Sequence, residues 1–385
     1  MTTINQQWTK LSTDLIQDPN NKDLWKSLIR ASESIDNKHP LTKSSTLEEI
    51  TILKSSYTSF LAKFPYEFKY WIKYANWEFK LGNTAQADSV YITALDELPF
   101  CIELWISYLR FKIETLGKDI NSVLEAFEKA RSMIGFHFYS HEFYELYLGF
   151  LDNYKDEKNG YEKKYYVLLR IILEIPIYHY GNFYKKWFDL IEKLSNDYEL
   201  AKVKLVYIMP TKDYVIDKKL FLELKKSFTD AYISTQYHVF ELYNFEKKLI
   251  TKNSILSVQD INAWLAYIDY LEIKQYPKRL IELVYYRFLY KDMTNDLLWL
   301  KVSDFYIFHN QFNKARKALN EGLKRSNNDY KVLIKLVDLE IYLKNYQRAI
   351  NLLIVYLQFN PSVPIPVREK VMQVKQLIDA TSTTD

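Results

Sequence analysis

Residues 71–99 read WIKYANWEFKLGNTAQADSVYITALDELP, and two helical patterns meet in them. Trp71, Tyr74 and Trp77, followed by Glu78, recur at i, i+3 and i+6, which sets an aromatic stripe along one side of a helix. Gly82 then stands where a helix ends in a left-handed residue, and Asn83 or Thr84 where the next helix is capped. Ala87, Val90, Tyr91, Ala94 and Leu95 give that second helix an apolar face, with Pro99 beyond its end. Small Ala87 and Ala94 let a neighbouring helix approach closely. The stretch predicts a helix–turn–helix hairpin of about 34 residues.

The same hairpin restarts along the chain. Trp105, Tyr108 and Phe111 stand 34 residues after their counterparts, with Phe111 at the place of Trp77. Trp264, Tyr267 and Tyr270 begin a second run. Trp299, Val302 and Phe305 follow 35 residues later, and Leu333, Leu336, Leu339 and Glu340 another 34. Ala315 and Ala318 repeat the small-residue pattern of the second helix. Weaker copies lie at Trp25–Leu28–Ala31, Tyr144–Tyr147–Phe150, Trp187–Leu190 and Val239–Leu242–Phe245–Glu246. One hairpin is too small to bury its own stripe, so the units must stack. The expected fold is all-α, a superhelical solenoid of about nine antiparallel helix pairs.

Composition excludes the main alternatives. Seven glycines in 385 residues is far below the usual share of roughly 7%, and hairpin turns and phosphate-cradling loops both draw on glycine. The 33 Tyr, 22 Phe and 8 Trp suit wide interhelical layers. Exposed aromatics could also stack single-stranded RNA bases, but recurrence at helical spacing favours the core. A single cysteine, Cys101, leaves no disulfide framework and fits a reducing compartment. The first residues show neither a basic nor an apolar signal-peptide region, and no run is long enough to span a bilayer. A cytosolic or nuclear location is expected.

The net charge of +4 is unevenly spread. Between Gln311 and Ile350 nine Lys or Arg oppose four acids, a local +5. Lys314, Arg316, Lys317, Lys324 and Arg325 are therefore candidates to contact RNA or an acidic partner, against the plainer account of a solvated helix face. Catalytic, cofactor and metal sites are expected to be absent, so the chain is not read as an enzyme. The one histidine pair at i, i+4 is His137 and His141. Gly135 and Ser140 suggest a helix capped at Ser140, with His137 in the loop before it, which separates the two rings. No nucleotide-binding or nucleophile-elbow motif occurs. Glu78 and Glu340 end corresponding helices and are read chiefly as ion-pair or backbone partners between neighbouring hairpins.

Two stretches interrupt the period: polar residues 31–49, and residues 195–219 around Pro210. The expected layout is an N-terminal arm at 1–194, an irregular hinge-like segment at 195–219, a C-terminal arm at 220–376 and a disordered tail at 377–385.

The W-x-x-Y-x-x-W-E stretch at Trp71–Glu78, with its A-x-x-x-Y-x-x-A-L second helix and terminal proline, resembles the half-a-TPR (HAT) repeat of RNA-processing proteins. Segments in order from Leu47 to Tyr306, including ELWISYLRF, YHVFELYNFEKKLI and WLAYIDYLE, resemble more specifically the N-terminal half of a pair of paralogous pre-mRNA-processing factors. That resemblance implies a scaffold subunit of the U1 small nuclear ribonucleoprotein (snRNP), which recognises the 5′ splice site in the nucleus. It also implies other U1 snRNP proteins as partners, among them a paralogous HAT-repeat subunit as heterodimer. Family members run several repeats beyond the position of Asp385, so their C-terminal dimer contact has no residues here to carry over.

Overall fold

The computed structural model describes residues 6–34, 39–115, 117, 119–156, 159–209, 214–249, 256–326, 329–360 and 362–382. Among them every regular element is a helix, nineteen in all, and the one β-bridge is the isolated pair Ser34–Pro40. The chain forms two compact units, Met1–Leu242 and Tyr243–Asp385.

The first unit opens with α1 (Gln6–Gln17), α2 (Lys22–Ser32) and α3 (Leu47–Lys63). There follow α4 (Phe68–Lys80), α5 (Thr84–Glu97), α6 (Ile102–Glu114), α7 (Ile120–Ile134), α8 (His141–Asn153) and α9 (Tyr161–Ile172). Then come α10 (Tyr180–Asn196), α11 (Tyr198–Ile208) and α12 (Lys218–Glu246), whose last residues belong to the second unit. Within this unit α4 packs on α5 and also on α6, and α6 packs on α7 and also on α8. Each first helix thus touches its own partner and the first helix of the next hairpin, the contact pattern of stacked repeats.

The second unit continues with α13 (Val258–Ile273), α14 (Lys278–Leu289), α15 (Asp296–Phe308) and α16 (Phe312–Arg325). It ends with α17 (Asp329–Tyr342), α18 (Tyr346–Phe359) and α19 (Ile365–Ser382). The same rule holds: α15 contacts α16 and α17, and α17 contacts α18 and α19.

In the clearest copies the stripe that defines the first helices is buried except at Trp77 and Tyr270, which are half-buried. Trp71, Tyr74, Ala75 and Glu78 are all enclosed, which is the spacing i, i+3, i+4, i+7 that returns to one face. Trp77, at i+6, falls short of that return. It is half-buried and donates its indole N–H to Glu33 at 3.3 Å. The stripe position goes to the Glu78 carboxylate instead. In the other hairpins Trp105, Tyr108, Phe111, Trp264, Tyr267, Trp299 and Phe305 are buried.

A hydrogen bond anchors four of the motif tryptophans, Trp25, Trp71, Trp105 and Trp299. The indole N–H of Trp25 reaches the Pro19 carbonyl at 2.9 Å, and those of Trp71 and Trp105 reach Pro65 and Pro99 at 2.8 Å. Trp299 does the same to Met293 at 2.8 Å. Each acceptor lies six residues earlier, in the loop that enters the helix, so one ring both fills the core and fixes the incoming chain. On the second helices Ala87, Ala94, Ala315 and Ala318 are buried where the small-residue pattern places them. Gly322 goes further, because a Cβ there would stand 2.9 Å from Trp299 Cγ.

The segment boundaries differ from those expected. Much of 195–219 is helical: α10 ends at Asn196, α11 covers Tyr198–Ile208, and α12 starts at Lys218. Pro210 lies outside the described residues. Residues 377–382 complete α19 rather than a disordered tail, and 383–385 lie outside the described residues.

Candidate functional site

The turn joining the two helices of a hairpin is one recurring structure. After α4, the Gly82 N–H bonds the Phe79 carbonyl and the Asn83 N–H bonds the Glu78 carbonyl, both at 2.9 Å. This is the Schellman arrangement, which needs a left-handed residue after the helix, and Gly82 sits at φ 90°. The same pair of bonds closes the turns after α13, α15 and α17. There the left-handed residues are Gln275, Asn310 and Lys344, at φ 55°, 57° and 60°. Glycine scarcity reflects, in part, hairpin turns that keep side chains at a position where glycine costs least.

Buried carboxylates sit beside these turns. Glu78 Oε2 accepts from the Asn83 amide at 3.0 Å and pairs with Lys54 at 2.9 Å. Asn83 occupies the N-cap of α5 without capping it, because its side chain is turned back to Glu78. Glu340, fully enclosed, takes Arg316 Nε at 2.6 Å and Nη2 at 3.0 Å, the Asn345 amide at 2.9 Å and Arg348 Nε at 3.3 Å. Burial alone would raise its pKa, but the hydrogen bonds from Arg316 and Asn345 hold it below the usual carboxylate value. Glu246 is clasped by both Arg287 terminal nitrogens at 2.6 and 2.8 Å and by the Tyr267 hydroxyl at 3.2 Å. Glu282, on α14, accepts from the Tyr306 hydroxyl and from Lys314, both at 2.7 Å.

These networks decide what the five candidate basic residues can do. Arg316 is committed to Glu340 and Lys314 to Glu282, tying α16 to its neighbours. Lys324 and Arg325 both pair with Glu321 on their own helix, at 2.9 and 3.3 Å. Lys317 is exposed and finds no carboxylate among the described residues.

A cavity of about 690 Å³ opens on the turn edge of the second unit. Lys278, Arg279, Lys314 and Arg316 line it, with Glu282 as its one acid. The amides of Asn310, Gln311 and Asn345 add uncharged polar groups. Lys278 and Arg279 begin α14, and Lys314 and Arg316 lie in the first turns of α16. The helix N-termini therefore add to the positive potential of the side chains. Sequence reading found Lys314 and Arg316 by charge density but missed Lys278 and Arg279, which lie outside that window and meet it only through stacking.

The histidines are dispersed. His137 lies in the loop before α8, where its Nδ1 accepts the Tyr139 N–H at 3.0 Å. His141, the first residue of α8, packs against His179 at 4.8 Å between ring centroids. Burial, then the charge of His179, holds its pKa below the usual imidazole value. Among the described residues no group of three or more His, Cys, Asp or Glu is placed to hold a metal ion. Among the described residues no helix is long and apolar enough to cross a membrane.

Residues 9–189 match the family model of the PRP39 N-terminal HAT repeat. The chain is 28% identical over 369 residues to the U1 small nuclear ribonucleoprotein component PRP42 of Saccharomyces cerevisiae, covering 91% of this chain and 66% of that protein. It is 25% identical over 320 residues to pre-mRNA-processing factor 39 of Schizosaccharomyces pombe, covering 77% and 50%. Against pre-mRNA-processing factor 39 of Mus musculus the identity is 29% over 143 residues, covering 36% and 21%. The chain thus spans 66% and 50% of the length of the first two relatives. In sequence it is similar to these pre-mRNA-processing factors along most of its length.

Proposed function

We propose that this chain is a non-catalytic scaffold subunit of the U1 snRNP. In this proposal it acts in the nucleus, in 5′ splice-site recognition and early spliceosome assembly. It works through protein–protein contacts, with a paralogous HAT-repeat subunit among its partners. The observation that carries the proposal is the similarity to a U1 snRNP component along 91% of the chain. The fold supports it, because stacked hairpins offer extended surfaces for partners and the buried charged groups are spent on joining neighbouring hairpins.

Affinity purification of the tagged protein from nuclear extract, followed by sequencing of bound RNA and identification of bound proteins, tests it. Recovery of U1 RNA with U1 snRNP proteins is expected. Recovery of neither overturns the proposal, and enrichment of 3′-end cleavage factors instead would assign the chain to that machinery.

Direct RNA contact is a second proposal, favoured by exposed Lys317 and Lys324. It requires binding that weakens steeply with salt, since phosphate contacts release counterions. Charge reversal at Lys317 and Lys324 that leaves RNA affinity unchanged excludes it.

A further inference from the structure

One histidine pair in the first unit has no signature in sequence spacing. His141 is the first residue of α8, and His179 stands immediately before α10. They are 38 residues apart in the chain, yet their rings meet at 4.8 Å between centroids, with planes 76° apart. Backbone and aromatic contacts hold them there. The Tyr178 N–H donates to the Phe138 carbonyl at 2.7 Å, tying the chain that enters α10 to the chain that enters α8. The Tyr178 ring packs on Phe138 and Tyr139, and on both imidazoles, His141 at 5.9 Å and His179 at 4.2 Å. His179 is held at φ 60°, a left-handed backbone uncommon outside glycine.

Two observations identify what the pair can hold. The Nδ1 of His141 is buried and has no hydrogen-bond partner, although buried polar atoms nearly always find one. The separation of the rings also suits a shared ion. Zinc–imidazole bonds of about 2.0–2.1 Å place each ring centroid about 3.2 Å from the metal. Two imidazoles at bond angles from square to tetrahedral then lie about 4.5–5.2 Å apart, and the observed 4.8 Å falls in that range. Burial and the neighbouring His179 also keep His141 in the neutral form that ligates at neutral pH. The charges of Glu145 and of Glu142, which pairs with Arg110, reach His141 and offset part of an ion's charge.

We propose that His141 and His179 together bind a divalent transition-metal ion that prefers imidazole: zinc, nickel or copper. Imidazole nitrogen selects that class over magnesium and calcium, which take oxygen. No third His, Cys, Asp or Glu joins the pair among the described residues, so water takes the other positions. The ion is a staple between the loops that enter α8 and α10. It favours the folded unit, where the two rings are already together, and so stabilises it by mass action.

The test uses the full chain, stripped of metal with a chelator and titrated with zinc chloride. Calorimetry follows binding, and thermal melting follows stability. Zinc is expected to bind and to raise the melting temperature, and magnesium chloride to do neither. His141→Gln and His179→Asn should each weaken zinc binding about tenfold or more, since even an outer-shell partner of a ligand is worth that much. His179 is exposed and asparagine tolerates the left-handed backbone, so His179→Asn should melt like the parent without zinc. His238→Gln, on α12, should leave zinc binding unchanged. Absence of zinc binding by the parent overturns the proposal, as does unchanged affinity in folded His179→Asn. Zinc binding that needs His137 and His141 but not His179 returns the ion to the i, i+4 pair and overturns it too.

Discussion

Asn345 holds Glu340 by two bonds at once: its backbone N–H donates to the Glu340 carbonyl at 2.8 Å, and its side-chain amide to the Glu340 carboxylate at 2.9 Å. Asn83 and Glu78 repeat this pairing 262 residues earlier, at 2.9 and 3.0 Å. One asparagine thus closes the turn and orients the buried acid that receives a cation from a neighbouring hairpin. Glu340 is the stronger case, since Arg316 approaches it with two nitrogens.

Glu340→Gln should destabilise the second unit by about 3 kcal/mol at neutral pH, because Arg316 keeps its charge but loses its partner. The pH dependence has a fixed sign. The folded-state pKa of Glu340 lies below its ordinary value of 4.5. Its contribution is therefore complete above about that pH and is lost as pH falls through the folded value. Urea unfolding of parent and variant at neutral pH and at successively lower pH should show their difference shrinking below 4.5. A constant difference would refute the assignment.

Replacing Gln275, at φ 55°, by glycine should raise stability by about 0.5–1 kcal/mol, relief of left-handed strain outweighing the added freedom of the unfolded chain. Asn310→Gly should gain less, because asparagine tolerates that region better. A lower melting temperature for Gln275→Gly would contradict the geometry of the turn.

Gly322→Ala should destabilise despite alanine's better helix propensity, which is worth about 1 kcal/mol. The added methyl would lie 2.9 Å from Trp299 Cγ and 3.1 Å from Val332 Cγ1, and overpacking of that kind costs about 1–3 kcal/mol. Coupling to Trp299→Phe in a double-mutant cycle checks that the clash is with that ring.

Trp105, 1% exposed, separates the two tasks of the motif tryptophan. Trp105→Ala should cost about 3–5 kcal/mol. Trp105→Phe keeps most of the apolar volume but leaves the Pro99 carbonyl without its donor, at about 1–3 kcal/mol. If the phenylalanine variant is as stable as the parent, the indole bond contributes nothing.

Much of the architecture was legible because stacked repeats write the same spacing many times. Trp71, Trp105, Trp264 and Trp299 each start a helix whose burial follows from periodicity alone. Trp77 was misplaced because i+6 lies at the margin of the stripe, where Phe111 and Phe305 are buried but Trp77 and Tyr270 only half-buried, and Glu78 at i+7 carries no apolar signal. The Pro-x5-Trp spacing at Pro19, Pro65 and Pro99 is visible in the sequence, but only Pro99 entered the sequence reading, as a residue beyond a helix end. The basic cluster was legible as charge density, yet Arg316 proved to be a structural partner of Glu340. Nothing in a linear count reveals which cations a buried acid has already claimed. Lys278 and Arg279 reach Lys314 and Arg316 only through stacking, so their shared groove had no local sequence signal.

Arg316 on α16, Glu340 on α17 and Arg348 on α18 form a single charge-neutralising knot across two adjacent hairpins. Such a knot makes the repeats unequal as evolutionary cassettes. Excising or duplicating a hairpin whose joints are apolar leaves only a seam to repack. A cut between α16 and α17 strands a guanidinium on one side and an enclosed carboxylate on the other. Gain and loss of hairpins among relatives should therefore avoid this joint, and length variation should collect where neighbouring helices meet through hydrocarbon alone.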